Sequence, residues 1–217
     1  MNNRVMELKE VEVWDGNMAN SQALRQADVD VVAAYPITPS TATVENYAMF
    51  HANGYVDGEV MMTESEHAAM SACVGAGAAG GRVATATSSQ GLALMIEVLY
   101  QASGMRIPVV LCLVNRALAA PLNVNGDHSD LYLTRDSGWI SIDAFNPQQA
   151  YDMTLMAFKI SEHPDVRLPV ISNQDGFMTS HTAQNVIPLE DKVACDFVGP
   201  YLQVNALLNF DKPVTQD

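Results

Sequence analysis

The chain has 217 residues, 48% of them hydrophobic, and a formal net charge of -14. That is enough apolar material for one large folded domain and argues against a disordered chain, while the acidity argues against nucleic acid or an anionic membrane as partner, since both need basic patches. No apolar run reaches the roughly 18 residues of a membrane span, and Met1–Gly16 has no apolar signal core, so a cytoplasmic location is expected.

Short apolar runs alternate with amphipathic segments, the pattern of βα units around a parallel sheet with helices on both faces. Val29–Tyr35 (VDVVAAY) reads as a buried strand, broken by Pro36 and Pro39, with Ser40 or Thr41 capping a helix to about His51. Glu59–Met62 is a second, short strand. Ser65–Gly80 is a helix rich in small residues that can press close to a neighbour. Arg82–Ala86 is the third strand, followed by the turn TSSQG (Thr87–Gly91) and a helix over Leu92–Ser103. Pro108–Val114 is apolar throughout, which predicts a central strand. Asn115–Arg135 is long, polar and aperiodic, and loops of that length in compact domains are usually functional. Ser137–Ile142 and Leu168–Ser172 complete the set of strands, with Pro147–Glu162 between them as a helix carrying proline in its first turn. From Ile187 the periodicity fades among Pro188, Pro200 and Pro213. The reading is one α/β domain over residues 1–186 and a linker or wrapping segment over 187–217.

Cys73, Cys112 and Cys195 form no CxxC pair, so no iron–sulfur cluster or structural zinc site is encoded; all three read as buried small apolar residues. In a parallel sheet, ligands bind beyond the carboxyl ends of the strands. The candidate turns are therefore Pro36–Ser40, Thr63–Glu66, Thr87–Gly91 and Asn115–Asp130. Thr38 sits between two prolines on a stiff turn, where a hydroxyl can meet a carboxylate or simply cap the turn. Glu64 and Glu66 flank Ser65 at a helix start, where a carboxylate commonly only caps or complements the dipole. TSSQG offers small donors at a helix N-terminus but lacks the GK[ST] of a Walker loop. Arg116 directly follows the apolar strand and is placed to grip a carboxylate with two parallel donors, unless it braces Asp127 or Asp130 instead. One His and two Asp in GDHSD (Gly126–Asp130) make a weak metal cluster, and no metal ligand is assigned. No GxSxG and no GxGxxG is present in a strand–turn–helix setting.

In order and at these spacings, GN (Gly16–Asn17), YPITPST, SEHAAMSACVGAGAAGGR, TSSQGLALMIEVLYQASGMRIPVV, NRALAAPLNVNGDHSD and DGFMTSHT resemble the 2-oxoacid:ferredoxin oxidoreductase family, over roughly residues 15–182. The resemblance implies the pyrimidine-binding domain of a thiamine-diphosphate enzyme. It implies that Glu66, with Glu64 the competing choice, meets the aminopyrimidine of the cofactor. A carboxyl group there favours the tautomer that can take a proton from the thiazolium carbon. It further implies that Thr38 and Arg116 hold the substrate carboxylate, and that Pro36, Ile37, Thr38, Glu66, Ser89 and Gln90 line the cofactor.

The family's diphosphate motif, GDG followed by asparagines, has no counterpart; the only GD is Gly126–Asp127, followed by His128. Magnesium and iron–sulfur clusters are thus expected on partner chains, with ferredoxin or flavodoxin as acceptor, coenzyme A and a 2-oxoacid as substrates, and an oligomeric assembly. Pyruvate is the expected substrate and 2-oxoisovalerate the reserve. The alternative is a non-catalytic binding or scaffold relative. The end at DKPVTQD reads as mid-linker, which implies a fragment or a split subunit.

Overall fold

A computed structural model of the protein describes residues 6–118, 121–201, 207 and 211. The elements are β1 Glu12–Trp14, α1 Gly16–Gln26, β2 Val31–Ala34, α2 Thr41–Ala52, β3 Glu59–Met62, α3 Glu66–Ala79, β4 Val83–Thr87, α4 Ser89–Gly104, β5 Val109–Val114, α5 Ser129–Tyr132, β6 Ile140–Ala144, α6 Pro147–Ser161, β7 Val170–Gln174, β8 Gln184–Val186 and α7 Asp191–Val198. Six strands form one parallel sheet in the order β3-β2-β4-β5-β7-β6; β1 and β8 pair separately and antiparallel.

The two faces of the sheet follow from strand alternation. In β5, Val110 and Cys112 enter a core built with α1, α2 and α6, while Val109, Leu111 and Leu113 enter a second core built with α3 and α4. All six β5 residues are buried, as a central strand requires, and each large apolar side chain so buried contributes roughly 1.5–3 kcal/mol. Gly77 lets α3 press in: a Cβ there would lie 2.5 Å from Ile107 Cγ2. The helix is bounded by Ser65, whose side chain accepts from Ala68 N, and by Gly80 in the left-handed conformation (φ 104°) that glycine tolerates best. Asn146 caps α6 by accepting from Gln149 N at 2.8 Å, with Pro147 in its first turn.

Several expectations need correction. Cys73 and Cys112 are buried, and burial pushes both thiols up to about 12, but Cys195 is exposed on α7. Ser40 occupies the cap position of α2 without capping it; its hydroxyl instead donates to Ile37 O at 2.9 Å. The α4 helix starts at Ser89 rather than Leu92. β6 and β7 run about two residues further along than expected; for β6 the reason is that Leu131–Ser137 is held by successive turn bonds (Thr134 N to Leu131 O, Ser137 N to Thr134 O). A helix, α7, stands where the sequence showed no periodicity. Arg25 bonds both oxygens of its first residue, Asp191. Beyond Tyr201 only residues 207 and 211 are described, so the expected mid-linker end lies, apart from Asp211, outside the described residues.

Candidate functional site at the carboxyl edge of the sheet

Four turns converge where the sheet's carboxyl ends meet the helix N-termini. After β2, Pro36–Pro39 form a turn with a cis Thr38–Pro39 bond, closed by Ser40 N on Ile37 O. It is held from beneath by buried Asn17, whose amide donates to Pro39 O (3.0 Å) and whose carbonyl accepts from Thr43 Oγ1 (2.8 Å). Pro36 and Thr38 face solvent and Ile37 is half-buried. After β3, Thr63 Oγ1 bonds Ala34 O and Ser65 O, tying this turn to the first.

The two glutamates separate by environment. Glu64 is exposed, whereas Glu66 is 7% exposed and opens α3. Glu66 lies against the N-terminus of α4: a Cβ on Gly91 would stand 2.7 Å from Glu66 Oε1 and 2.4 Å from Thr87 Oγ1. Gly91 is thus the residue of TSSQG that admits the carboxylate beside the start of α4. Ser89, at φ 48°, turns the chain sharply there. Its hydroxyl donates to Ala117 O at 2.7 Å, while Gln90 is exposed.

Arg116 is 5% exposed. Its Nη1 donates to Thr38 O (2.8 Å) and its Nη2 to Gln90 Oε1 (2.9 Å), so three turns meet on one guanidinium. Both acceptors are neutral, and Nε is buried with no hydrogen-bond partner. Arg116 and Thr38, both expected to face one carboxylate, lie on touching turns, and the contact between them runs through the Thr38 carbonyl. The competing brace is not formed by the guanidinium: Asp127 accepts from Ser129 N, and Asp130 accepts from four N–H groups, including Arg116's own backbone. A buried charge normally has a counter-ion. None contacts this guanidinium among the described residues.

Other buried polar atoms on this edge are likewise unpartnered: Thr87 Oγ1 and Ser88 Oγ after β4, Asn115 Oδ1 after β5 and Gln174 Oε1 ending β7. Around them, Tyr35, Met62, Leu122, Phe145, Phe177 and Met178 are exposed large apolar side chains on the loops or strand ends of the same edge. Sequence reasoning missed Asn17 and Gln174. Asn17 lies in the GN stretch that resembles the family, but without a role assigned to it; Gln174 carried no signal, since a single polar residue beneath a turn has no periodicity. A cavity of about 680 Å³ lies elsewhere, between residues 6–10 and 187–192, and none of the expected site residues lines it. Among the described residues no group of three His, Cys, Asp or Glu is placed to hold a metal ion, and no helix is long and apolar enough to cross a membrane.

A parallel α/β sheet whose carboxyl edge gathers a buried carboxylate, a buried unpaired arginine and unpartnered polar atoms defines a ligand-binding domain of the doubly wound class. The chain belongs to the family described as pyruvate flavodoxin/ferredoxin oxidoreductase, thiamine-diphosphate-binding, whose match spans residues 22–217. It is 51% identical over 208 residues to pyruvate synthase subunit PorA of Methanocaldococcus jannaschii, covering 95% of this chain and 53% of that one. It is 45% identical over 210 residues to ketoisovalerate oxidoreductase subunit VorA of Pyrococcus furiosus, covering 96% and 53%. Its fold superposes with TM-score 0.76 and 27% identity on a 2-oxoglutarate:ferredoxin oxidoreductase from Magnetococcus marinus, solved with 2-oxoglutarate, coenzyme A and succinyl-CoA bound, covering 87% of this chain and 33% of that one. The chain spans about half the length of the curated relatives it matches.

Proposed function

We propose that this chain is the pyrimidine-side component of a 2-oxoacid:ferredoxin oxidoreductase. In this reading the assembled enzyme oxidatively decarboxylates pyruvate, or a similar short 2-oxoacid, to acyl-coenzyme A and carbon dioxide. The observation that carries the reading is Arg116: a buried guanidinium held by two neutral acceptors, with an orphaned Nε, fits a carboxylate as its missing counter-ion. Arginine supplies charge and parallel donors, and so orients the 2-keto carbon. The exposed Thr38 hydroxyl on the adjoining turn adds a neutral donor.

Thiamine diphosphate, when bound, supplies the carbon nucleophile for that keto group. The residues present fit its pyrimidine half. Glu66 is shielded and sits against the glycine that makes room for it, with the unpartnered Thr87 and Ser88 hydroxyls on the adjoining turn. Its role is to hold a proton at the aminopyrimidine ring nitrogen. Pro36, Ile37, Ser89 and Gln90 shape the wall, and the apolar rim suits coverage by a partner domain that carries the diphosphate, magnesium and iron–sulfur sites and passes electrons to ferredoxin or flavodoxin.

The test uses the assembled enzyme. Glu66→Gln is expected to lower turnover on the order of 100- to 10,000-fold with the fold intact, as loss of a proton relay does. Near-normal turnover in Glu66→Gln together with loss in Glu64→Gln would reassign the carboxylate. Arg116→Ala is expected to raise the substrate KM about 100-fold; an unchanged KM removes Arg116 from the site. In calorimetry, thiamine diphosphate should bind weakly to this chain alone and tightly once the partner is added. Tight binding to the isolated chain would overturn the shared-site reading.

A further inference from the structure

We propose that Asp130 is a positioning residue that sets the Arg116 clamp and the TSSQG turn in register with one another. The inference rests on the reading of Arg116 as the carboxylate clamp. Asp130 is fully buried, and its carboxylate takes four N–H donors from three separate segments. Oδ2 accepts from Ser89 N and Arg116 N, each at 2.9 Å; Oδ1 accepts from Asn115 Nδ2 and Leu131 N, each at 2.8 Å. One side chain thereby joins the start of α4, the residues just after β5, and α5.

Both oxygens have every acceptor direction filled by N–H groups, so only an ionised carboxylate satisfies the arrangement. Burial pushes this carboxyl above its ordinary value, and the N–H groups of Arg116, Ser89, Asn115 and Leu131 offset only part of that rise. The neighbours of Asp130 serve the same end. Asp127 accepts from Ser129 N at 2.6 Å, Ser129 Oγ accepts from Leu118 N at 3.0 Å, and His128 Nε2 stands 3.3 Å from Asp175 Oδ1. The GDHSD segment is thus a staple across the edge loops. Its central bond fixes where the Arg116 backbone lies, and with it where the guanidinium meets Thr38 and Gln90. An asparagine cannot replace this carboxylate, because its NH2 would face either Ser89 N and Arg116 N or Asn115 Nδ2 and Leu131 N. A glutamate keeps charge and acceptors but displaces them by one methylene.

The test is a double-mutant cycle in the assembled oxidoreductase, with pyruvate as substrate and KM measured on the active fraction. Asp130→Asn and Asp130→Glu should each raise KM about tenfold, from N–H groups left unpaired and a misplaced clamp. Adding either to Arg116→Ala should raise KM no further, because Asp130 acts through Arg116. A residue that only supports the fold would lower thermal stability and the amount of active enzyme but leave KM unchanged. Unchanged KM in both variants, additive effects in the cycle, or failure of both variants to assemble would each overturn the proposal. If Arg116→Ala leaves KM unchanged, the clamp reading fails and this inference falls with it. If Arg116→Ala raises KM and the Asp130 variants do not, only this inference fails.

Discussion

Arg82 and Arg116 are buried almost equally, 6% and 5% exposed, at opposite edges of one sheet. Arg82 precedes β4 at the amino edge. Its Nε and Nη2 grip both oxygens of Glu162 (2.7 and 2.8 Å), Nη2 also reaches Gly199 O, and Nη1 bonds Ala27 O. Phe158 and Tyr201 lie under the guanidinium, each about 6 Å away by ring centroid. Arg116, at the carboxyl edge, has two neutral acceptors and an unpartnered Nε. The same residue type at the same burial is a finished ion pair at one edge and an unfinished one at the other. At the amino edge the chain supplies the counter-ion itself; at the carboxyl edge, among the described residues, it supplies only neutral acceptors.

That contrast can be broken by mutation. The largest effect is expected at the amino edge. Arg82→Ala leaves the largely buried Glu162 without its hydrogen-bonded ion-pair partner, with only the more distant Arg167 charge to offset it, and should cost about 3 kcal/mol of unfolding free energy in denaturant titrations. The substrate KM of the surviving folded enzyme should be unchanged. A small stability loss paired with a raised KM would erase the distinction between the two edges. At the carboxyl edge, Arg116→Lys should keep normal stability yet leave KM within about threefold of Arg116→Ala, because an ammonium lacks the planar fork. Full rescue by lysine would mean that charge alone matters there. Thr38→Val should cost about 1 kcal/mol, a roughly fivefold rise in KM. The Arg116 contact to the Thr38 carbonyl survives that change, so a larger effect would show that the hydroxyl carries more of the clamp.

The smallest effect concerns pH at the amino edge. Burial raises the Asp191 carboxyl, but the hydrogen bonds of Arg25 and Gln26 and the Arg25 charge outweigh it, leaving Asp191 below its ordinary value of 3.8. A depressed carboxylate stabilises the fold above its unfolded value and loses that contribution as pH falls through its folded value. The stability gap between wild type and Asp191→Asn should therefore be steady at neutral pH, at about 1 kcal/mol or less for a partly exposed pair, and narrow as the medium is acidified below pH 3.8. A gap that widens on acidification would remove the ion pair from the account.

The six strands of the sheet were legible because four, β2, β4, β5 and β7, are buried along nearly their whole length and the two edge strands, β3 and β6, are short, partly exposed and bounded by turn signals. Helix α1 was not, for an instructive reason. Ten of its eleven residues are buried, yet GNMANSQALRQ offers only a narrow stripe of small apolar residues, Ala19 and Ala23 beside Leu24. The rest of its buried surface is partnered polar groups: Asn17 with Pro39 and Thr43, Ser21 Oγ with Thr43 O, Arg25 with Asp191. Hydrophobic periodicity cannot see such a helix. The three-residue strands β1 and β8 were too short to register. At the site, Thr38, Glu66, Ser89, Gln90 and Arg116 were legible as residues on converging turns. The contacts of Asp130 were not. It read as one member of an acidic loop that could brace the Arg116 side chain, and only the fold brings the N–H groups of Ser89, Asn115 and Arg116 onto its carboxylate.

The strand order has a consequence for how the chain is made. β5, apolar on both faces, pairs with β4 on one side, but its other neighbour is β7, which is synthesised only after α5, β6 and α6. β6 cannot fill the gap, because it pairs with β7 alone. Until residues 170–174 have left the ribosome, the growing chain carries its most apolar strand as an open edge, the kind of template onto which other chains add. Synthesis halted between α6 and β7 should therefore yield aggregating products, and synthesis carried past Gln174 soluble ones.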